Sequence, residues 1–335
     1  MPNAQKHKVA SILALVFITA MANLPCAGTE QATSGESHKG SSTRGGPPML
    51  TWAPEGNTKA VVLCVHGLGL HNGTYETFGK RLAGVGVATY ALDVRGFGSW
   101  QNKNGQGDVD FNDCLEDVRR TLIVLHRIHP NTPVFILGES MGGAIALRAT
   151  ALYPQLLQGL ISCVPSGDRF HQKRTDLKVA LQYLKGANKK FDVGTQVIAQ
   201  ATSTKDDPSN VNCALQENWK ADPLAKLTLS PNELIQFQRF MNENHDSVRL
   251  IKDKPVLMFQ GEDDNLVKAQ GTLELWNELP TKDKQIEFIA GAKHLIFEES
   301  QFNDQALNDK VLVMVDRWIG DHIKQPPSGL NQASR

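Results

Sequence analysis

Short apolar runs rich in β-branched residues alternate along the chain with segments whose apolar positions recur every three or four residues. The first kind reads as a buried strand, the second as a helix with one apolar face. Strands are predicted at 61–65, 87–92, 133–137, 159–164, 255–259 and 285–289. Helices are predicted at 75–83, 108–128, 141–152, 270–279 and 305–323. The clearest helix is 108–128, where Phe111, Cys114, Leu115, Val118, Leu122 and Leu125 share one stripe. Strands alternating with helices call for a mostly parallel sheet covered on both faces. The alternation fails between 168 and 253, where helical stretches such as 177–184 and 233–241 occur without a clear strand. A gap of roughly 85 residues is too long for a connecting loop. It reads as a helical insertion resting over the carboxyl edge of the sheet. The expected class is therefore α/β, with a helical cap inserted at about 168–228.

The two ends follow other patterns. Residues 9–24 are apolar and uncharged and follow Lys6 and Lys8, the layout of a secretory signal. Ala27 and Gly28 suit cleavage, so 1–27 reads as a signal peptide or an N-terminal anchor. Cys26 is a candidate for lipid attachment, although Pro25 stands where such signals want a small residue. Residues 28–48 are rich in Ser, Gly and Thr and read as a flexible linker, and 324–335 as a disordered tail. The folded part is then 49–323, in an exported protein, secreted or periplasmic, or anchored at a membrane through its N-terminus.

Composition narrows the function classes. Lys plus Arg and Asp plus Glu are both 35, giving zero formal charge over 335 residues. No basic face or long basic run is visible, which argues against a nucleic-acid partner. With 41% hydrophobic and 21% charged residues the chain is too apolar to be disordered. A single long apolar run excludes a multi-span membrane protein. Four cysteines follow Cys26: Cys64, Cys114, Cys163 and Cys213. Their spacing matches no zinc pattern, and Cys64, Cys114 and Cys163 sit at apolar positions, so buried free thiols are expected. No cofactor or metal is called for.

In open α/β sheets ligands bind outside the carboxyl ends of the strands. The strand at 133–137 runs into Gly138-Glu139-Ser140-Met141-Gly142-Gly143, a G-x-S-x-G pattern between strand and helix. Such a turn is tight enough to strain the Ser backbone, and the flanking glycines remove side chains that would collide. A serine hydroxyl needs a base to take its proton. Among the downstream histidines, His294 follows the strand 285–289 at the same sheet edge and is the candidate base. The acid should follow the strand 255–259, where Glu262, Asp263 and Asp264 compete. Backbone N–H groups are needed for the oxyanion, and the candidates are those of Met141 and of Leu68 in His66-Gly67-Leu68-Gly69. His66 itself reads as structural.

Together, His66-Gly-Leu-Gly69, Asp93-Val-Arg-Gly-Phe-Gly98, Gly138-Glu-Ser-Met-Gly-Gly143, Gly261-Glu-Asp-Asp264 and Gly291-Ala-Lys-His294 resemble α/β-hydrolases of the monoacylglycerol lipase and lysophospholipase type, grouped with serine aminopeptidase-like hydrolases. The resemblance covers about 49–323. It implies an α/β-hydrolase fold and, through the pattern G-x-x-D, Asp264 as the acid. It implies scaffolding roles for Asp93, Arg95, Gly96 and Gly98, and Asp222-Pro-Leu224 as the exit from the cap. The expected reaction is hydrolysis of a small acyl ester or lipid, such as a monoacylglycerol or lysophospholipid, by Ser140, His294 and Asp264. The cap or the N-terminus would approach a membrane surface. An amidase with the same residues, and a binding protein on a hydrolase scaffold, are the rival expectations.

Overall fold

The structure is a computed structural model of the chain. It describes residues 46–101, 109–165, 167–169, 191–192, 197, 200–203, 213–299 and 305–323. The expected export signal, Cys26, most of the expected linker, the expected helical stretch at 177–184 and the expected tail lie outside the described residues. All the described residues fall in one compact unit, Ser37–Arg335.

A seven-stranded sheet forms the centre. Its strands are β1 (Met49–Trp52), β2 (Ala60–Val65), β3 (Val87–Leu92), β4 (Val134–Glu139), β5 (Gly159–Cys163), β8 (Val256–Gly261) and β9 (Lys284–Ile289), in the order β1-β3-β2-β4-β5-β8-β9. Only β1 is antiparallel to its neighbour. Alternate side chains of β2 enter separate cores, Val61, Leu63 and Val65 on one face and Ala60, Val62 and Cys64 on the other. This is the two-residue period of a strand, and it explains why the inner strands read as continuous apolar runs.

Helices α1 (Glu76–Gly84), α2 (Phe111–Ile128), α3 (Met141–Leu152), α7 (Ala269–Glu278) and α9 (Gln305–His322) cover the faces. Phe111, Cys114, Leu115, Val118, Leu122 and Leu125 of α2 pack on the first face, and Val311, Val315, Trp318 and Ile319 of α9 on the second. The α2 helix starts at Phe111, not at 108, because Asp110 caps it by accepting from the N–H groups of Asn112 and Asp113.

Met49–Trp52, where the sequence carries no strand signal, forms the edge strand β1, and Pro48 O accepts from Asp93 N–H at 2.8 Å. One expectation needs correction. The interval 168–253 was expected to lack strands. It contains a two-stranded antiparallel sheet of β6 (Phe191–Asp192) and β7 (Thr228–Leu229). Strands of two residues are too short to carry a periodic signal. The same interval holds α4 (Cys213–Ala221), α5 (Pro231–Asn242) and α6 (Asn244–Val248). Ser230 and Glu233 form a capping box at the start of α5. Arg148 of α3 ties down this region. Its guanidinium lies over the Phe240 ring at 3.9 Å, donates to Phe240 O and pairs with Glu243.

Candidate active site

The β2–β4 register pairs Val65 with Gly138, so the chain leaves both strands at the same level. His66-Gly67-Leu68 therefore turns beside Ser140. A Cβ added at Gly67 would lie 3.7 Å from Ser140 Cβ. Ser140 has φ 55° and ψ −115°, a left-handed conformation that a residue with a side chain rarely adopts. It is forced by the crossing of β4, the turn and α3. A Cβ at Gly138 would collide with Gly142 O, and one at Gly142 with Val65 O. The glycines of the motif are thus space requirements. The first N–H groups of α3, beginning with Met141, have no partner within the helix by its geometry. Leu68 is half-buried and lines the same cavity as Ser140, while Met141 is fully buried beneath it.

The β8–β9 register pairs Gly261 with Ile289, so the loops after these strands also lie side by side. Asp264 Oδ2 is 2.9 Å from His294 Nδ1. Its other oxygen accepts from the N–H groups of Leu266 (2.7 Å) and Val267 (2.9 Å). Gln260 Nε2 reaches Asp264 Oδ2 at 3.4 Å, and its own oxygen accepts from the Thr272 hydroxyl at 2.7 Å. The carboxylate is thus held from several sides. Glu262 is exposed and Asp263 half-buried, and neither makes a hydrogen bond to the His294 ring. Burial works against a charged His294. The Asp264 carboxylate and, to a smaller extent, Glu139 together outweigh it, and the imidazole titrates above its ordinary value.

Ser140 and His294 line one cavity of about 510 Å³, counting its open mouth. Leu68, Leu70, Trp219, Phe237, Met241, Leu266 and Leu295 make its walls apolar. Arg169 is a charged member among the described residues, with the guanidinium 5.6 Å from the Phe237 ring and hydrogen-bonded to Gln238. Among the described residues the Ser140 hydroxyl makes no hydrogen bond. Among the described residues no group of three potential ligands is gathered to hold a metal ion.

His66 Nε2 accepts from Val94 N–H at 2.9 Å, and burial lowers the ring pKa to about 4, so His66 is a neutral brace. Asp93 accepts from the N–H groups of Asn72 and Ser99, and Arg95 grips Asp117 with two bonds of 2.9 Å. Sequence reasoning missed Glu139. Its carboxylate is buried beneath the site and accepts from the N–H groups of Ile296 and Phe297, which open α8 (Ile296–Glu299). The available signal was a charged residue ending an otherwise apolar inner strand.

The model of the family described as "Serine aminopeptidase, S33" matches residues 56–301. A monoacylglycerol lipase of Mycolicibacterium smegmatis is 27% identical over 273 residues, spanning 81% of this chain and 92% of that protein. Human monoglyceride lipase is 27% identical over 270 residues, spanning 80% and 84%. Among solved structures, a soluble variant of monoglyceride lipase from Saccharomyces cerevisiae in complex with a substrate analog superposes with a TM-score of 0.73 at 20% identity, covering 89% of this chain and 99% of that one. The family match spans most of the folded part and all the loops that build the site. The chain belongs to the serine aminopeptidase, S33, family and is an α/β-hydrolase similar to the monoacylglycerol lipases.

Proposed function

We propose that this α/β-hydrolase cleaves carboxylic esters through Ser140, His294 and Asp264. The carrying observation is that Ser140 and His294 line one apolar cavity while His294 Nδ1 is held 2.9 Å from Asp264 Oδ2. A hydrogen bond at Nδ1 leaves Nε2 free to act as the base. Ser140 Oγ attacks the ester carbonyl as its proton passes to His294. The N–H groups of Leu68 and Met141 hold the oxyanion. The imidazolium, stabilised by Asp264, then protonates the leaving alcohol, and the acyl group stays on Ser140. Water enters, gives a proton to His294 and attacks the acyl carbon; the Ser140 Oγ–acyl bond then breaks as the imidazolium returns that proton to Oγ, and the acid leaves.

A single-chain acyl ester, such as a monoacylglycerol, fits the apolar walls. The related lipases from Mycolicibacterium smegmatis and human support this reading. An amidase or aminopeptidase using the same three residues is the alternative. A lysophospholipid is the second reading, favoured by the positive charge of Arg169 in the wall. We also propose that the chain is exported, on the strength of the apolar run at 9–24, with cell fractionation and N-terminal sequencing as the test.

The test of the reaction is a hydrolysis screen of monoacylglycerols, lysophospholipids and amino-acid anilides beside the Ser140→Ala variant. Ester turnover that disappears in the variant is expected, together with labelling of the wild type alone by a fluorophosphonate probe. Faster cleavage of the anilides overturns the ester reading, and absence of labelling overturns the nucleophile.

A further inference from the structure

We propose that Glu139 is a positioning residue, whose carboxylate clamps the segment carrying His294 beside the Ser140 turn and acts electrostatically on that imidazole. The inference rests on the reading of His294 as the base.

Glu139 is the last residue of β4 and is 1% exposed. Its Oε1 accepts from Ile296 N–H at 2.7 Å and Phe297 N–H at 3.2 Å. These are the second and third residues after His294, so one side chain joins the Ser140 turn to the His294 loop. The Cys163 thiol of β5 donates to the same oxygen at 3.4 Å. The titratable groups facing Glu139 are Cys163 on β5 and His294 on the loop before α8. Those acting on His294 are Asp264 and Glu139. Cys163 is pushed far up by burial and by Glu139 and Asp264, and so stays a neutral thiol. Among the described residues, no cation other than a protonated His294 acts on Glu139. Burial, opposed by His294 and the two N–H groups, brings the Glu139 pKa to about 7. A charged Glu139 and a charged His294 therefore favour each other, and the expected consequence is a titration in two linked steps.

The test uses the full chain. Glu139→Gln keeps an acceptor for the two N–H groups and removes the charge. Losing the charge makes the imidazolium easier to deprotonate. The acid limb of the kcat/KM profile should move to lower pH by about half a unit or more. Glu139→Asp keeps the charge but shortens the reach. It should leave the limb in place while lowering kcat. An imidazole NMR titration, with the His294 signal assigned by a His294→Asn variant, reads the same coupling without substrate. Two inflections in the wild type and one in Glu139→Gln support the proposal. A single inflection in the wild type overturns it, even if Glu139→Gln fails to fold. An unmoved rate limb in a folded Glu139→Gln overturns the role of the charge and leaves only a structural brace. Failure of the wild type to turn over any ester, with the two-step titration intact, overturns the ester reading alone.

Discussion

His71 Nε2 lies 2.6 Å from Asp222 Oδ2, bridging 151 positions of the chain. The other ring nitrogen accepts from Gly73 N–H at 3.0 Å, so the proton of the neutral ring resides on Nε2 and points at the carboxylate. Two further bonds run in parallel. Lys226 N–H donates to Gly69 O at 2.8 Å, and Gln101 Nε2 to Leu224 O at 2.7 Å. The loop that carries Leu68 is thereby stitched through Gly69 and His71 to the segment Asp222–Lys226, which Gln101 also holds. We expect His71→Ala and Asp222→Ala each to lower stability by roughly 1–3 kcal/mol. Because they remove one shared contact, the double variant should cost clearly less than the sum. Urea denaturation of the four proteins checks this, and simple additivity would rule out the link.

The three acidic residues after β8 have separate fates. Asp264→Asn should reduce kcat on an ester by about 10⁴-fold, because the imidazole loses the partner that fixes its tautomer. Asp263→Asn and Glu262→Gln should stay within a few-fold of wild type. Steady-state kinetics on one p-nitrophenyl ester distinguishes them.

The backbone at position 140 favours glycine. A left-handed conformation of this kind costs roughly 1–3 kcal/mol for a residue with a Cβ, while glycine gives back about 0.5–1 kcal/mol through a looser unfolded chain. Ser140→Ala and Ser140→Gly should both be inactive, and Ser140→Gly should melt at the higher temperature. Paired thermal melts check the order. A lower Tm for Ser140→Gly would contradict the strain.

His66 sets a pH window. Its folded pKa is about 4, below the ordinary 6.5, chiefly through burial. The unfolded chain therefore takes up the proton first. The contribution of His66 to stability is complete above pH 6.5 and is lost as pH falls toward 4. Urea midpoints at pH 7, 5.5 and 4 should fall in that order, and His66→Gln should flatten the decline. An equal decline in the variant would place the proton uptake elsewhere.

Much of this architecture is legible in the residues themselves. The inner strands are buried on both faces, so they read as unbroken apolar runs. Ser140 and His294 announce themselves because each follows such a run. The choice of Asp264 over Asp263 came only from family resemblance, since all three carboxylates share one loop and just one of them turns inward. The edge strand β1 escapes notice because its four residues are half-buried and its partner lies some 40 positions away. Glu139 escapes because its partners are backbone N–H groups about 157 positions downstream, and nothing local marks such contacts.

Strands β5 and β8 pair directly, Leu160 with Val256 and Cys163 with Phe259, although residues 164–255 lie between them. The sheet closes across the base of that long excursion. The reactive rim and the walls above it are consequently separable inheritances. A lineage can rewrite the walls, and with them its choice of molecules, while the rim is handed down intact. Transplanting 164–255 between relatives should therefore carry selectivity along and leave the machinery underneath running.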